Sequence, residues 1–177
     1  MLPPTCKLEA NLIRLRERLP DAPVAGILLT RLIMNLGRGL SAMLEHQIRP
    51  FGLTEPEFRV LATLYSQPDG VAYPGDLCAC ADQRPANMSR ISDALVSRGL
   101  ITRMASAQDR RRLEMRITAA GEDLVRRLLP TVWEPLRSLL KDLPEDEQTR
   151  LTEQLKRLGA LLESVVGEHG PAAEGGP

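Results

Sequence analysis

One segment of this 177-residue chain departs from helical periodicity, and it limits the folds that the chain can adopt. Residues 100–104 begin a strand after Gly99, and residues 111–117 alternate between apolar and charged side chains. Alternation of this kind is typical of a strand with one buried face. The two strands predict a hairpin with Asp109-Arg110-Arg111 at or near its tip. A single small hairpin therefore has to fit within a chain whose other apolar residues recur at helical spacing.

Helical patterns lie on both sides of the hairpin. They predict a leading helix at 4–19, an apolar helix from Val24 to about Ile48, a helix from Glu55 to about Tyr65, and short helices at roughly 74–81 and 85–98. After the hairpin, apolar residues step by four and three along 125–143 and again along 151–165. The narrow seam of the last helix requires a partner helix. The final residues have no apolar pattern, which predicts a disordered tail at 169–177.

The helix that begins at Glu55 has a complete start signal. Thr54 and Glu57 have the spacing of a capping box, in which each side chain bonds the backbone of the other residue. Leu53 and Phe58 have the spacing of a hydrophobic staple across the same turn. Local chemistry therefore predicts where this helix begins.

Charge is unevenly distributed, although the whole chain is neutral with 23 basic and 23 acidic residues. Residues 84–116 contain eight arginines and three acids, a local charge of +5, so the remainder carries −5. A neutral protein with one basic segment is better suited to a specific anionic partner than to general adhesion to membranes or nucleic acids. A salt-bridged, solvated surface remains the alternative explanation of the charge alone.

Composition and motifs argue against membrane, disulfide-rich and catalytic classes. No unbroken apolar run approaches the roughly 20 residues that span a bilayer, so a cytoplasmic protein without a membrane partner is expected. Cys6, Cys78 and Cys80 form no disulfide framework, and Cys78 and Cys80 are expected to be small buried packing residues. His46 and His169 are far apart in sequence. Because no catalytic cluster, metal-ligand spacing or cofactor motif is present, neither an enzyme nor a cofactor is expected.

The order helix, helix, short turn, helix, hairpin is that of a winged helix-turn-helix. We therefore expect a mainly α protein with a small β-hairpin, namely a winged helix-turn-helix with long terminal dimerisation helices. The expected divisions are an N-terminal extension at 1–23, a dimerisation helix at 24–52, the winged DNA-binding domain at 53–121, C-terminal dimerisation helices at 122–168 and the tail at 169–177.

This fold explains the basic segment, because a helix fits the major groove of DNA while hairpin arginines reach phosphates or the minor groove. The candidate DNA contacts are Arg84, Asn87, Ser89, Arg90, Arg110, Arg111 and Arg112. Arg84 is expected on phosphate, whereas Asn87 either contacts an adenine edge or only caps its helix. Phosphate repels Asp109, which is expected to hold a neighbouring guanidinium in place. Arg98 is expected to be an ordinary charge that complements the helix dipole.

Residues 53–121 resemble the MarR family of bacterial transcriptional regulators. The stretch LVSRGLITRMASAQDRRRLEMRITAAG, residues 95–121, is similar to the end of that family's recognition helix, its wing and the start of the next helix. The matching positions are Asp109, Arg110, Arg111, Met115, Ile117, Thr118 and Gly121. Ser106-Ala107 stands where the family often has Asp-Pro. CADQRPANMSRISDALVSRG and LPTVWEPLRSLLKDLPEDEQTRL are most similar to the branch that represses multidrug-efflux operons.

The resemblance implies a homodimer with interlocking terminal helices, in which two winged domains bind the halves of an inverted-repeat operator in double-stranded DNA. It also implies a pocket for a small amphipathic effector, such as a phenolic compound or another aromatic weak acid. Met34 and Phe58 are the candidate apolar lining, and Arg38 is the candidate cation for a carboxylate or phenolate. The alternative is that Met34 and Phe58 are core residues and Arg38 is solvated.

We therefore expect a repressor of an efflux or stress-response operon that such ligands release from DNA. Two alternatives remain at the level of sequence. One is a redox-sensing regulator of the same fold that uses Cys6, and the other is a helical dimeric interaction adaptor that does not bind DNA.

Overall fold

The computed structural model describes residues 5–105 and 112–168, with side chains described from 7 to 105 and from 112 to 166. The elements in chain order are α1 (Thr5–Arg18), α2 (Val24–Ile48), a 3-10 turn (Arg49–Phe51), α3 (Glu55–Ser66), β1 (Val71–Ala72), α4 (Pro74–Ala81), α5 (Pro85–Ser97), β2 (Ile101–Ala105), β3 (Leu113–Ile117), α6 (Ala119–Leu140) and α7 (Glu145–Glu168). The winged helix-turn-helix order is confirmed, and the bounds of α1 to α5 agree with the predicted ones within one residue. The α6 helix ends at Leu140, so the last residues of the predicted series 125–143 lie beyond it.

The sheet has three strands rather than the two of the predicted hairpin. Val71 and Ala72 pair antiparallel with Arg116 and Met115, which places β3 between β1 and β2. A bond from the Ile117 amide to the Gly70 carbonyl, 2.9 Å long, extends the same pairing. Two residues are too few to show alternation in a sequence, so pairing with β3 alone defines this strand.

The core of the winged domain lies between α3, α4, α5 and the sheet. Leu61, Leu64, Leu77 and Leu95 are fully buried there, together with Met115 of the central strand. Apolar side chains that point to one side of each helix and one side of the sheet thus meet in a common interior.

Apolar spacing predicts Ile91, Leu95 and Val96 as the inward face of α5, and this prediction is wrong at Val96. Ile91 and Leu95 are buried as expected, but Val96 is 39% exposed, and Met88 and Ser92 are buried instead. The Ser92 hydroxyl donates to the Met88 carbonyl at 2.7 Å, which allows a polar residue in the core. Position 96 lies 100° from position 95 on a helix, so the buried face turns away from it.

The predicted capping box at the start of α3 is confirmed. The Thr54 amide donates to Glu57 Oε2 at 2.8 Å, and the Thr54 side chain is bonded to the N3 backbone in return. Leu53 and Phe58 of the staple are both buried. These contacts set the angle at which the chain enters the winged domain.

The end of the wing and the start of α6 are joined by Thr118. Its amide donates to the Leu100 carbonyl at 3.0 Å, and its hydroxyl donates to the Gly99 carbonyl at 2.7 Å. The same hydroxyl accepts a bond from the Gly121 amide at 3.1 Å, which satisfies an otherwise unpaired donor in the first turn of α6. A Cβ at position 121 would lie 2.2 Å from the Leu100 carbonyl oxygen, so only glycine fits this crossing.

The chain divides into two compact units, Met1–Trp133 and Glu134–Pro177. In the first unit, α2 exposes apolar side chains, namely Leu29, Met34, Leu36 and Leu40. In the second, α7 does the same along the predicted seam, with Leu151, Leu155, Leu162 and Val165 all exposed. Each unit thus carries an apolar helix face that a single chain leaves in water, which soluble proteins normally cover.

The stretch Val24–Phe51 has the length and composition of a membrane-crossing helix. The sequence-based expectation rested on unbroken apolar runs, which are short here because charged residues interrupt the helix. Arg38 lies near the middle of this stretch and is exposed. An arginine at the centre of a bilayer costs about 2.5–3.5 kcal/mol or more, so a protein partner suits this helix better than lipid does.

We expect the protein to be an obligate dimer, because the exposed leucines of α7 would otherwise remain in water. Sedimentation at micromolar concentration should give twice the chain mass. Replacing Leu155 and Leu162 together by glutamate should shift the population towards monomer, whereas Ala160→Glu on the opposite side of α7 should not. A stable, folded wild-type monomer at micromolar concentration would contradict this expectation.

Gly121→Ala should destabilise the protein by about 1–3 kcal/mol or more, because the new methyl group overlaps the Leu100 carbonyl. Gly75→Ala is the matched control, since a Cβ at position 75 has no atom within 4 Å. Urea unfolding of both variants at equal protein concentration measures the difference. Equal stability of Gly121→Ala and the wild type would show that the backbone crossing is not as tight as the structure has it.

Candidate nucleic-acid interface

The helix-turn-helix is formed by α4, α5 and the turn Asp82-Gln83-Arg84. Asp82 ends α4 with φ of 52°, a left-handed conformation that aspartate tolerates better than most residues. The Gln83 amide then donates to the Cys78 carbonyl at 2.9 Å. Pro85 opens α5 at a position where the missing N–H removes no helical bond. The second helix therefore begins at a defined angle to the first.

The exposed face of α5 carries the predicted contact residues. Met88, Ile91 and Leu95 face the core, whereas Asn87, Ser89 and Arg90 are exposed, as is Arg84 at the N-cap. The positive end of the helix dipole lies at the same end as Arg84 and Arg90, and no acidic residue occurs in the first turn of the helix. Anions are thus favoured at the N-terminal half of this face.

The Asn87 side chain is exposed, and it also has a local hydrogen-bond partner. Its Nδ2 donates to the side-chain Oε1 of Gln83 in the turn before the helix. Gln83 in turn donates from Nε2 to the Ala81 carbonyl at 3.1 Å. These bonds tie the Asn87 side chain to the turn before α5, but no side-chain bond caps the start of that helix.

The wing is partly described. Asp109, Arg110 and Arg111 lie outside the described residues, so their predicted roles stay predictions. Arg112 is described, and its guanidinium carbon lies 3.9 Å from the centre of the Tyr73 ring. A stacked guanidinium of this kind is held by the electrostatic attraction of the ring face. The Arg112 side chain therefore lies against the start of α4.

The sequence alone suggested that Arg98 only complements the dipole of α5. In the structure its side chain also bonds another element. Its Nη1 donates to the Gly52 carbonyl at 2.7 Å, and its Nη2 donates to the Phe51 carbonyl at 3.0 Å. One guanidinium thus satisfies two carbonyls at the end of the 3-10 turn and ties it to the end of α5. The partners are 46 and 47 residues away in sequence, so no local pattern signals the contact.

Arg103 of β2 also contacts α5, a link that sequence reasoning missed. Its Nη1 lies 2.6 Å from Asp93 Oδ1, and its Nη2 donates to the Ser89 carbonyl at 3.0 Å. The period-two pattern held a signal, because it places position 103 on the same face of the strand as the buried Ile101. An arginine at an inward position of a strand implies a specific partner.

The expected burial of the two neighbouring cysteines is wrong. Cys80 is exposed and Cys78 is only half-buried, because the short helix α4 buries the face with Leu77 and Ala81 and leaves the opposite face in solvent. Within the described ranges, no cluster of His, Cys, Asp and Glu has the arrangement of a metal site. The side chain of Cys6, like all of His169, lies outside the described set, so the redox alternative has no structural support.

The three candidate effector residues have different surroundings. Met34 is 59% exposed, and Arg38, one turn further along α2, donates to the Asn35 side chain. Phe58 is buried in the core, as the alternative for it had expected.

Two described cavities of the winged domain have other linings. A mainly apolar cavity of about 220 Å³ lies between α4, α5 and the wing, where it is bordered by Cys78, Met88 and Arg103. An open, more polar one of about 730 Å³ includes Tyr73, Asp76 and Glu114. Neither of these cavities includes any of the candidate effector residues.

Comparison with known proteins agrees with this geometry. The MarR family model matches residues 53–113. The transcriptional repressor MprA of Escherichia coli (strain K12) is 32% identical over 149 residues, which cover 84% of this chain and 85% of MprA.

Solved structures show the same fold. AbsC, a MarR family transcriptional regulator from Streptomyces coelicolor, superposes with a TM-score of 0.71 and 25% identity over 77% of this chain and 93% of AbsC. A mutant MarR from Escherichia coli complexed with operator DNA gives a TM-score of 0.65 at 24% identity, over 81% of this chain and 96% of that one.

Regulators of this family act as dimers that bind DNA and small-molecule ligands, and they are not enzymes. The matches extend over the winged domain and most of the flanking helices. The chain therefore belongs to the MarR family and is a DNA-binding transcriptional regulator.

Proposed function

We propose that this protein is a cytoplasmic repressor that binds an inverted-repeat operator as a dimer and leaves it when a small aromatic weak acid binds. The observation that carries the proposal is the exposed, basic N-terminal half of α5, which stands beside a wing with further arginines. A helix with this face fits the major groove, and the adjacent wing extends to the backbone or minor groove of the same duplex.

The proposed DNA contacts divide by chemistry. Ser89 and Arg90 are exposed on the groove-facing side of α5 and are proposed to contact base edges. Arg84 at the N-cap is proposed to contact phosphate, while Asn87 acts on the turn through Gln83. Arg110 and Arg111 are the proposed wing contacts, and Asp109 is proposed to orient one of them.

Arg112 has a separate place in this proposal. Its guanidinium stacks on the Tyr73 ring, a contact that uses none of the guanidinium N–H groups. We assign it to the base of the wing, where it adds positive charge close to the duplex.

An efflux or stress-response operon is the proposed target class. Support comes from the similarity to the repressor MprA over most of both chains and from the efflux-repressor resemblance of residues 80–99. The effector is proposed to contact Met34 and Arg38 on α2, where an exposed thioether and a guanidinium lie one turn apart. Phe58 is a buried core residue and is not part of this proposed contact.

Selection of bound fragments from random duplexes should recover inverted repeats whose half-site centres are about 10–10.5 base pairs apart, or a multiple of that spacing. Two-fold symmetry of the dimer is the reason, since each winged domain contacts an equivalent half-site. A duplex with one half-site scrambled is the control. Equal affinity for the intact and the half-scrambled duplex would contradict the proposal.

Arg111→Ala should weaken operator binding and reduce the slope of log affinity against log salt by about one, because a lost phosphate contact releases one counterion fewer. The fold should survive, as circular dichroism can verify. Arg14→Ala on α1, outside the proposed interface, serves as the matched loss of one exposed positive charge. Wild-type affinity and slope in the Arg111 variant would place the arginine run in a solvated surface.

Hydrophobic aromatic acids should lower operator affinity, and Arg38→Ala should blunt this response while ligand-free binding stays unchanged. A ligand can shift the protein only by its difference in affinity for the two conformations. Titrating a panel of such acids against the protein–operator complex, with Arg31→Ala on the same helix as control, measures the effect. An Arg38 variant that responds like the wild type would show that the site lies elsewhere.

A further inference from the structure

Arg103 occupies an inward-facing position of the wing. In the antiparallel register it is paired with Met115, while Ile101 pairs with Ile117 two positions earlier. Directly paired residues of an antiparallel ladder point to the same side of the sheet, and these three apolar residues are all buried. The Arg103 side chain thus leaves the sheet on the side of the core, towards α5, and only 28% of it is exposed.

A guanidinium at such a position is tolerated only when specific partners replace its water. The Arg103 Nη1 atom is 2.6 Å from Asp93 Oδ1, and Nη2 is 3.0 Å from the Ser89 carbonyl oxygen. Ser89 and Asp93 are four residues apart on α5, so one planar group spans a full turn of the helix. The Arg103 Nε atom is buried without a hydrogen-bond partner among the described atoms.

The turn of α5 that Arg103 holds is the turn that carries the proposed base contacts. Ser89 supplies its carbonyl to Arg103 while its side chain is exposed. Arg90 follows it directly on the exposed face. Any shift of β2 relative to α5 must therefore break these two bonds or move the contact residues with the strand.

We propose that Arg103 is a positioning residue that fixes the wing relative to the recognition helix α5. It acts through Asp93 and the Ser89 carbonyl, and it lets the helix and the wing fit the duplex at the same time. This inference rests on the proposed DNA interface. The pair is a property of one winged domain and needs no second protomer to form.

The direction in which removal of the Asp93 charge changes operator affinity separates this role from a general charge effect. Asp93 is a 63% exposed carboxylate on the helix that is proposed to enter the groove. If its charge acted only on the field around DNA, its removal would raise operator affinity, because phosphate repels a carboxylate. If Asp93 holds Arg103, its removal lowers operator affinity although the protein becomes more positive.

The test measures operator affinity of Asp93→Asn over a range of salt concentrations. We expect binding about fivefold weaker than wild type with an unchanged salt slope, since no phosphate contact is lost. Asp76→Asn, which removes an exposed carboxylate from α4 in the same unit, is the matched control and should bind at least as tightly as wild type. Wild-type or higher affinity of Asp93→Asn would overturn the inference.

A second variant keeps the test independent of folding defects. Arg103→Lys retains the charge but cannot span Asp93 and the Ser89 carbonyl with one planar fork. Positioning predicts weaker binding at an unchanged salt slope, and no further loss when Asp93→Asn is added. A lysine variant with wild-type affinity would instead make Arg103 a simple phosphate contact and overturn the inference.

Failure of the DNA proposal itself has a different signature. In that case the wild-type protein selects no inverted repeat, and Arg111→Ala has no effect on any duplex. When the wild type binds its operator and responds to Arg111→Ala, the Asp93 and Arg103 variants test positioning alone.

Discussion

The winged domain depends on one close approach between two backbones, at the point where the wing ends and α6 begins. Thr118 bonds the Leu100 and Gly99 carbonyls, and Gly121 packs against the Leu100 carbonyl without a side chain. This crossing connects the end of α5, both long strands and the first turn of α6. Because backbone atoms have no rotamers with which to yield, the wing and the two helices are held in one arrangement.

The basic segment serves two different purposes once its residues are placed. Arg98 and Arg103 bond backbone carbonyls of other elements, and Arg116 donates to the Asp69 carbonyl at 3.0 Å. Arg84 and Arg90 are exposed on the helix-turn-helix and remain available to an anionic partner. A net local charge of +5 therefore overstates the charge offered to DNA, since part of it satisfies carbonyl groups within the domain.

The apolar helix faces outside the winged core favour dimerisation. Exposed leucines recur on α2 and on α7, and the charge within α2 makes a bilayer an expensive cover for that helix. A symmetric partner covers the same surface on both copies and also supplies the second winged domain that an inverted repeat needs. Association and DNA recognition are thus two consequences of the same two-fold symmetry.

Local patterns in the sequence were enough for the helices, the long strands, the capping box at Thr54 and the exposed face of α5. Each of these depends on periodicity or on contacts within four residues, which a linear sequence displays directly. The family resemblance added the dimer and the operator symmetry. The positions that match the family also include Gly121. The reason why a glycine is needed there appears only in the structure, where the residue packs against the Leu100 carbonyl.

Tertiary structure alone decided the third strand, the exposure of Val96 and Cys80, and the partners of Arg98 and Arg103. The strand β1 exists only through its pairing with β3, and Arg98 meets carbonyls 46 and 47 residues away. Spacing marks Arg103 as an inward residue of its strand, but neither charge nor spacing identifies the partners of Arg98 and Arg103. Whether an arginine faces DNA or a carbonyl depends on which elements pack beside it, and packing brings together residues that are distant in the sequence.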